Sequence, residues 1–343
     1  MVLRDTTVFT LLFILNLEIS PGTTDLLTWN GDNTLLNDEV PWRNLSQLSQ
    51  LERSSRFNLT VIILTMNRPE SLRRLLDSID KTFFEFSEDK LNLEIHVDKS
   101  QGWFYDDCVN IAKNYSLPPG RGTVKPKIFS KNHGLRAAWF ESWTPNSISD
   151  HAIIIEDDLE VSPLWFSWLR RSWLTYRHRT DLAGIALSRQ YMVVQKPDRD
   201  FEIENDGVPF LYRLVGTWGF SPHPARWVQL LTWFNSLDSE TFDPYVPGLI
   251  TSDWLHIHTR QGRRHMTWEQ WHVFHSNKEN LFTLYLNLGS REVLVNNWRE
   301  AGVHSRTSPN QPDYPLLQSC PIQLQEFPAK LRKYNWNAEE ILE

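Results

Sequence analysis

The chain has 343 residues, is 41% hydrophobic and 22% charged, and carries a net charge of −7 at pH 7. That length and apolar content can bury one large core or two modest ones. With no long basic block it lacks the footprint of a nucleic-acid binder, though a nucleotide needs only a local cluster of donors. Two cysteines, Cys108 and Cys320, exclude a disulfide framework and a cysteine-rich zinc site, leaving one bridge or two thiols.

Residues 1–20 hold a short apolar stretch, Val8 to Leu17, with Arg4 before it and the Ser20-Pro21-Gly22 break after it. The stretch is too short for a convincing transmembrane helix and reads as a signal peptide or short anchor. Residues 21–57 are polar and aperiodic, with Pro21, Gly22, Gly31 and Pro41, and form a stem or linker. Sequons at Asn44-Leu45-Ser46, Asn58-Leu59-Thr60 and Asn114-Tyr115-Ser116 agree with entry into the secretory pathway, to the Golgi or ER lumen or beyond it.

At Leu59 the pattern changes. Leu59 to Thr65 is a β-branched apolar run, expected as a buried strand. Asn67-Arg68-Pro69 opens a helix that places Leu72, Leu75, Leu76 and Ile79 on one face. Leu91, Leu93, Ile95 and Val97 alternate as a second strand; a helix over Phe104 to Tyr115, a Pro/Gly loop and a third strand at Val124 to Phe129 follow. Asn132-His133-Gly134 leads into a helix through Trp143, and Ala152 to Ile155 is the fourth strand. Strands recurring about every 30 residues with helices between them specify βαβ units and a mostly parallel sheet. In such sheets ligands bind beyond the carboxyl ends of the strands. Arg68, Asp98, the Asn132–Gly134 loop and Glu156-Asp157-Asp158 all fall at those ends.

The fourth strand runs straight into Glu156-Asp157-Asp158-Leu159-Glu160-Val161, after which Ser162-Pro163 supplies an N-cap and N1 proline for a new helix. Adjacent carboxylates repel one another, so the cluster costs stability unless a hard cation or hydrogen-bond donors compensate. A divalent metal shared between one carboxylate and a substrate's phosphates suits it; a solvated acidic turn is the plainer alternative. Beyond, Leu182 to Leu187 and Phe210 to Val215 are expected strands, Asp198 to Gly207 a charged connection, Pro224 to Phe234 an aromatic helix, and the end of the chain irregular and Pro-rich. The sixteen tryptophans suit stacking on sugars and filling a large core equally well.

Residues 156–163 resemble the metal-binding signature of the N-acetylglucosaminyltransferase I family, including the related protein O-mannose enzyme: inverting glycosyltransferases of the GT-A fold. The resemblance continues in Thr65-Met66-Asn67-Arg68, Val215-Gly216-Thr217-Trp218-Gly219-Phe220, Ser252-Asp253-Trp254-Leu255 and Ala301-Gly302-Val303-His304, in the family's order. It implies an α/β GT-A domain over 58–310, with a Rossmann-like nucleotide-binding half and a mixed acceptor-binding half, and a C-terminal extension over 311–343. It also implies a UDP-sugar donor, with N-acetylglucosamine as the best match and galactose or another hexose as the alternative, and a glycan or glycoprotein acceptor. By position, Asp158 matches the Mn²⁺ ligand, Glu156 and Asp157 the residues on sugar and ribose, Arg68 a phosphate- or uridine-side arginine, and Asp98 the residue that holds the uracil. Asp253 matches the general base, and His304 lies in a segment, Asn297 to Ser308, expected to close over the donor. The chain departs from the family where Leu135-Arg136-Ala137-Ala138-Trp139 replaces its histidine-bearing helix, and where residues 263–300, with His265, Trp268, Trp271 and His272, follow their own pattern.

Two other classes compete. A sugar-nucleotide nucleotidyltransferase shares the βαβ start but carries a Gly-rich loop after its first strand, and Thr65-Met66-Asn67-Arg68-Pro69 has no glycine. A non-catalytic, lectin-like protein could keep the fold without turnover; the acidic motif and Asp253 argue against it.

Overall fold

β1 (Asn58–Thr65) is the centre from which the sheet grows. Residues 59–65 are nearly all inaccessible to solvent, as a strand covered on both faces requires. A computed structural model describes residues 56–190, 192–204, 206–288, 292–300, 312, 314–319 and 327–342. The expected signal segment 1–20, the stem 21–57 apart from its last two residues, and Gly302, His304 and Cys320 lie outside the described residues.

β1 leads through helix α1 (Pro69–Asp80) to β2 (Lys90–Val97), then through α2 (Trp103–Asn114) to β3 (Gly122–Ile128). The chain then returns through α3 (Gly134–Phe140) to β4 (His151–Glu156) on the other side of β1. These four strands are parallel, in the order β3-β2-β1-β4. The order reverses between β1 and β4, the position at whose carboxyl edge sheets of this kind form a ligand-binding crevice.

After β4 come β5 (Leu159–Val161), α4 (Trp165–Tyr176), β6 (Leu182–Ala186), the hairpin of β7 (Met192–Val193) and β8 (Lys196–Asp200), β9 (Phe210–Tyr212) and β10 (Phe220–Pro222). They are followed by α5 (Pro224–Asn235), α6 (Ile250–Arg260), a 3₁₀ turn (Arg264–Met266), α7 (Glu269–Lys278), β11 (Phe282–Tyr285), β12 (Val295–Asn297) and β13 (Lys333–Tyr334). β10 lies antiparallel between β4 and β6, so β6 runs the same way as β4. β11 is parallel to β6, and β9 antiparallel to β11. The outcome is the expected α/β fold: a parallel half joined to a mixed half in one nine-stranded sheet.

Alternation along β1 divides the core. Leu59, Val61 and Ile63 pack with Leu72, Leu75 and Leu76 of α1 and with Trp165 and Trp173 of α4. Ile62 and Leu64 face Trp139 of α3, Trp227 of α5 and Trp271 of α7. Among the described residues, six tryptophans are fully buried, at 139, 165, 173, 227, 268 and 271. Much of the tryptophan content is therefore core rather than sugar platform.

One expectation is corrected. The helix after the acidic motif starts at Trp165, with Leu164 rather than Ser162 at its N-cap. Ser162 Oγ instead accepts from Leu164 N at 3.0 Å, closing the turn that precedes the helix. Among the described residues of 311–343, β13 pairs with β9 at the sheet edge, and Leu317, Phe327 and Leu331 are core residues. The helix around Asp253 begins at Ile250, so Asp253 sits in its first turn. Among the described residues, no helix is long and apolar enough to cross a membrane.

Candidate active site

The site is assembled by strand register. Thr65, the last residue of β1, pairs with Val97 of β2, and Leu64 pairs with Glu156 of β4. The ladder continues one step beyond the strands: Asp98 N donates to Thr65 O at 2.8 Å and Asp157 N to Leu64 O at 3.1 Å. Asp98 and Asp157 are thereby fixed on either side of the β1 terminus, and the turn into α1 adds Arg68.

Arg68 forks onto the acidic motif. Nη1 donates to Asp158 Oδ2 at 3.0 Å, and Nη2 donates to Asp157 Oδ1. The Asp157 side chain is 2% exposed, Asp158 17% and Arg68 27%. Asp157 also accepts from Thr65 Oγ1 at 2.7 Å, so the polar end of an otherwise apolar strand is spent on orienting it. Glu156 accepts from Trp139 Nε1 at 3.1 Å. That indole comes from the helix where the family's histidine is missing.

The charges are out of balance. Burial, then repulsion by Asp158, pushes the Glu156 carboxyl up to about 8, against the pull of Arg68. Burial also raises Asp157, to about 6; Arg68 opposes this and Asp158 adds to it. Burial works against the Arg68 charge, but Asp157, Asp158 and Glu156 hold its guanidinium protonated above its ordinary value. One arginine serves three carboxylates, and a further positive charge would relieve the cluster.

Among the described residues, no group of three or more His, Cys, Asp and Glu side chains converges to enclose a metal. The motif offers oxygen donors, with Asp158 the more exposed of the two aspartates. That donor set fits a hard divalent cation taking one carboxylate and completing its shell with diphosphate oxygens and water, and does not fit an all-protein cage.

Asp98 lies at the same edge in a different role. Its carboxylate accepts from the backbone N–H of Lys99 at 2.9 Å, His133 at 2.9 Å and Gly134 at 3.2 Å. It thus clamps the β3–α3 loop beside the crevice, where Asn132 Nδ2 donates to Lys99 O at 2.9 Å. Gly134 has a φ of +75°, and a Cβ there would lie 3.3 Å from His265 Cδ2. Glycine lets the loop turn tightly against the 3₁₀ turn.

Segment 295–300 crosses the acidic motif. β12 pairs with β5, Trp298 N donates to Asp158 O at 3.0 Å, and Trp298 Nε1 donates to Glu160 Oε2 at 2.9 Å. Arg74 lies 4.1 Å over the Trp298 ring and pairs with Glu300. This strap leads into residues 301–311, which include His304 and lie outside the described residues.

The structure thus brings together Arg68, Glu156, Asp157 and Asp158, with Asp98 beside them. Asp253 is exposed in the first turn of α6 and makes no hydrogen bond or ion pair with the cluster. Sequence reasoning missed Thr65, Trp139 and Trp298. A hydroxyl closing an apolar run was a usable signal for the first; nothing local marked the two tryptophans.

A family model described as the SPBC1E8.03c C-terminal domain matches residues 70–201, which include Asp98 and the acidic motif but neither Arg68 nor Asp253. No curated protein matches the sequence. Partial likeness extends to several solved structures. The mannosyltransferase PcManGT of Pyrobaculum calidifontis, in complex with GDP-Man and Mn²⁺, superposes with a TM-score of 0.35 at 11% identity, over 57% of this chain and 50% of that one. S. aureus TarS 1–349 gives a TM-score of 0.38 at 11% identity, over 67% and 60% of the two chains. Mouse xyloside xylosyltransferase 1 in its apo form gives 0.39 at 12% identity, over 68% and 85%. The chain spans half the length of the first of these and three-fifths of the second.

Proposed function

We propose that this protein is an inverting glycosyltransferase, moving a sugar from a UDP-sugar to a hydroxyl of a glycan or glycoprotein in the secretory lumen. N-acetylglucosamine is the first sugar to test, on the strength of the resemblance. One arrangement supports the reading above all: Arg68, forked onto Asp157 and Asp158 at the point where the parallel sheet reverses its order. Crevices at such points take nucleotides beyond the strand ends, and a carboxylate cluster with too little positive charge calls for a cation.

In this reading Arg68 steers the diphosphate, since its planar fork has N–H groups beyond the two used on the aspartates. Asp158 would hold a divalent ion such as Mn²⁺, which supplies charge neutralisation to the leaving UDP. Glu156 and Asp157, anchored by Trp139 and Thr65, present fixed acceptors to the hydroxyls of sugar and ribose. Asp253 takes the proton from the attacking acceptor hydroxyl; it comes from a different segment than Asp158, as in-line displacement demands. By the resemblance, His304 belongs to the donor side of the site, where it would help exclude water from the donor.

A screen for UDP release across donor sugars, with and without Mn²⁺, tests the proposal. Mn²⁺-dependent release with at least one donor is expected. Absence of both UDP binding and release, with every donor and Mn²⁺ present, would refute it.

A further inference from the structure

The face of α6 that carries Asp253 holds an arrangement the donor chemistry does not use. Thr251, Ser252 and Leu255 turn inward, while Asp253, Trp254 and Ile257 are exposed and His256 partly so. His256 Nε2 lies 2.8 and 3.0 Å from the two carboxylate oxygens of Asp243. Tyr245 stacks on the His256 ring at 5.2 Å with an interplanar angle of 10°. Tyr245 is 40% exposed; Trp254, two residues from His256 on α6, points to the other flank of the helix.

The loop that supplies Asp243 and Tyr245 is fastened from beneath. The buried Ser252 Oγ accepts from Val246 N and donates to Val246 O, both at 3.0 Å. The buried Gln270 donates to Pro244 O at 2.7 Å, and Arg264 donates to Phe242 O. Three buried polar side chains thus fasten one short loop and fix its exposed tip.

Two contacts place this strip along the carboxyl edge of the sheet. A Cβ on Gly248, just before α6, would lie 3.4 Å from Gln195 Nε2, in the hairpin that follows β6. Past the other end of α6, His265 meets Gly134, in the loop that follows β3. β3 and β6 both run parallel to β4, so each loop emerges at the edge that carries Glu156–Asp158.

We infer that Asp243, Tyr245, Asp253 and His256 form the acceptor subsite, with Asp253 and His256 one helical turn apart on the same face of α6, and that its ligand is a neutral or amino pyranoside. This rests on the transferase reading of the same cleft. Aromatic rings offer flat apolar surfaces for the C–H face of a pyranose. In the neutral imidazole, Nε2–H donates to Asp243 and Nδ1 is left to accept a hydroxyl proton. The carboxylates of Asp243 and Asp253 repel a uronate or phosphate and accept hydroxyl or amino hydrogens.

The test uses the full chain with Mn²⁺ and UDP, and NMR titration with methyl glycosides of a neutral hexose, a 2-amino hexose and a uronic acid. The first two should bind and the uronate should not. Tyr245→Ala should weaken binding about 3- to 10-fold, with Tyr245→Phe recovering most of it and UDP affinity unchanged. Binding of the uronate as well as the neutral sugar, binding of no glycoside, or full affinity in Tyr245→Ala would overturn the inference. A separate titration of the wild-type chain with UDP and Mn²⁺ alone reads the donor site, so failure of the transferase reading is distinguishable.

Discussion

Arg68→Met keeps the length of the side chain and removes its charge from a cluster of three carboxylates. In the folded protein Arg68 is 27% exposed, whereas the Asp157 it pairs with is 2% exposed. Removing one partner of a buried pair costs about 3–5 kcal/mol; partial solvent screening of the guanidinium reduces this to about 2–3 kcal/mol. For a domain of this size that corresponds to a fall in Tm of about 3–5 °C. The loss should depend on pH. Asp157 already sits at about 6, above its ordinary 3.8, through burial, with Arg68 opposing. A carboxyl raised on folding contributes stability below its unfolded value and loses it as pH rises through its folded value. Without Arg68 the folded value climbs further, so the extra loss develops above about pH 6. Thermal unfolding of both proteins at acid and alkaline pH checks this: near-equal Tm values at about pH 4 and the full difference at about pH 8 are expected. An equal deficit at both would mean that Arg68 acts by packing, and would remove the electrostatic account of the site.

Asp158→Ala should abolish Mn²⁺-dependent UDP binding measured by calorimetry. Glu160→Ala should retain it within a few-fold, because Glu160 holds Trp298 Nε1 rather than the cluster. Asp253→Asn should preserve UDP affinity and lower kcat by about 10²–10⁴-fold, the range for loss of a general base; near-normal turnover would send the search for the base elsewhere. Gly216→Ala places a Cβ 2.5 Å from Ser188 Oγ and 2.6 Å from Ala186 Cβ. It should cost about 1–3 kcal/mol, read as a lower urea midpoint.

The parallel half was legible in the sequence because its information is local. Leu59–Thr65 and Ala152–Ile155 announce buried strands by composition alone, and Leu72, Leu75, Leu76 and Ile79 mark a helix face by spacing. Once strands and helices alternate, the handedness of βαβ units places Arg68, Asp98 and Asp158 at one edge. The mixed half was legible in part: the expected strands at Leu182–Leu187 and Phe210–Val215 and the helix at Pro224–Phe234 appear as β6, β9 and α5. β11 and β13 were missed, because a strand of two to four residues is defined by partners that can lie more than a hundred residues away. The roles of single side chains were decided the same way. Trp139 reaches Glu156 across 17 residues, Thr65 reaches Asp157 across 92, and Trp298 reaches Glu160 across 138. Asp98 keeps the edge position the sequence assigned it but is occupied by three backbone amides. The sequence by itself determined which residues end the strands. Only the folded chain decided which of them touch, because hydrogen bonds form between groups brought together by closing long loops, and residue spacing carries no record of that closure.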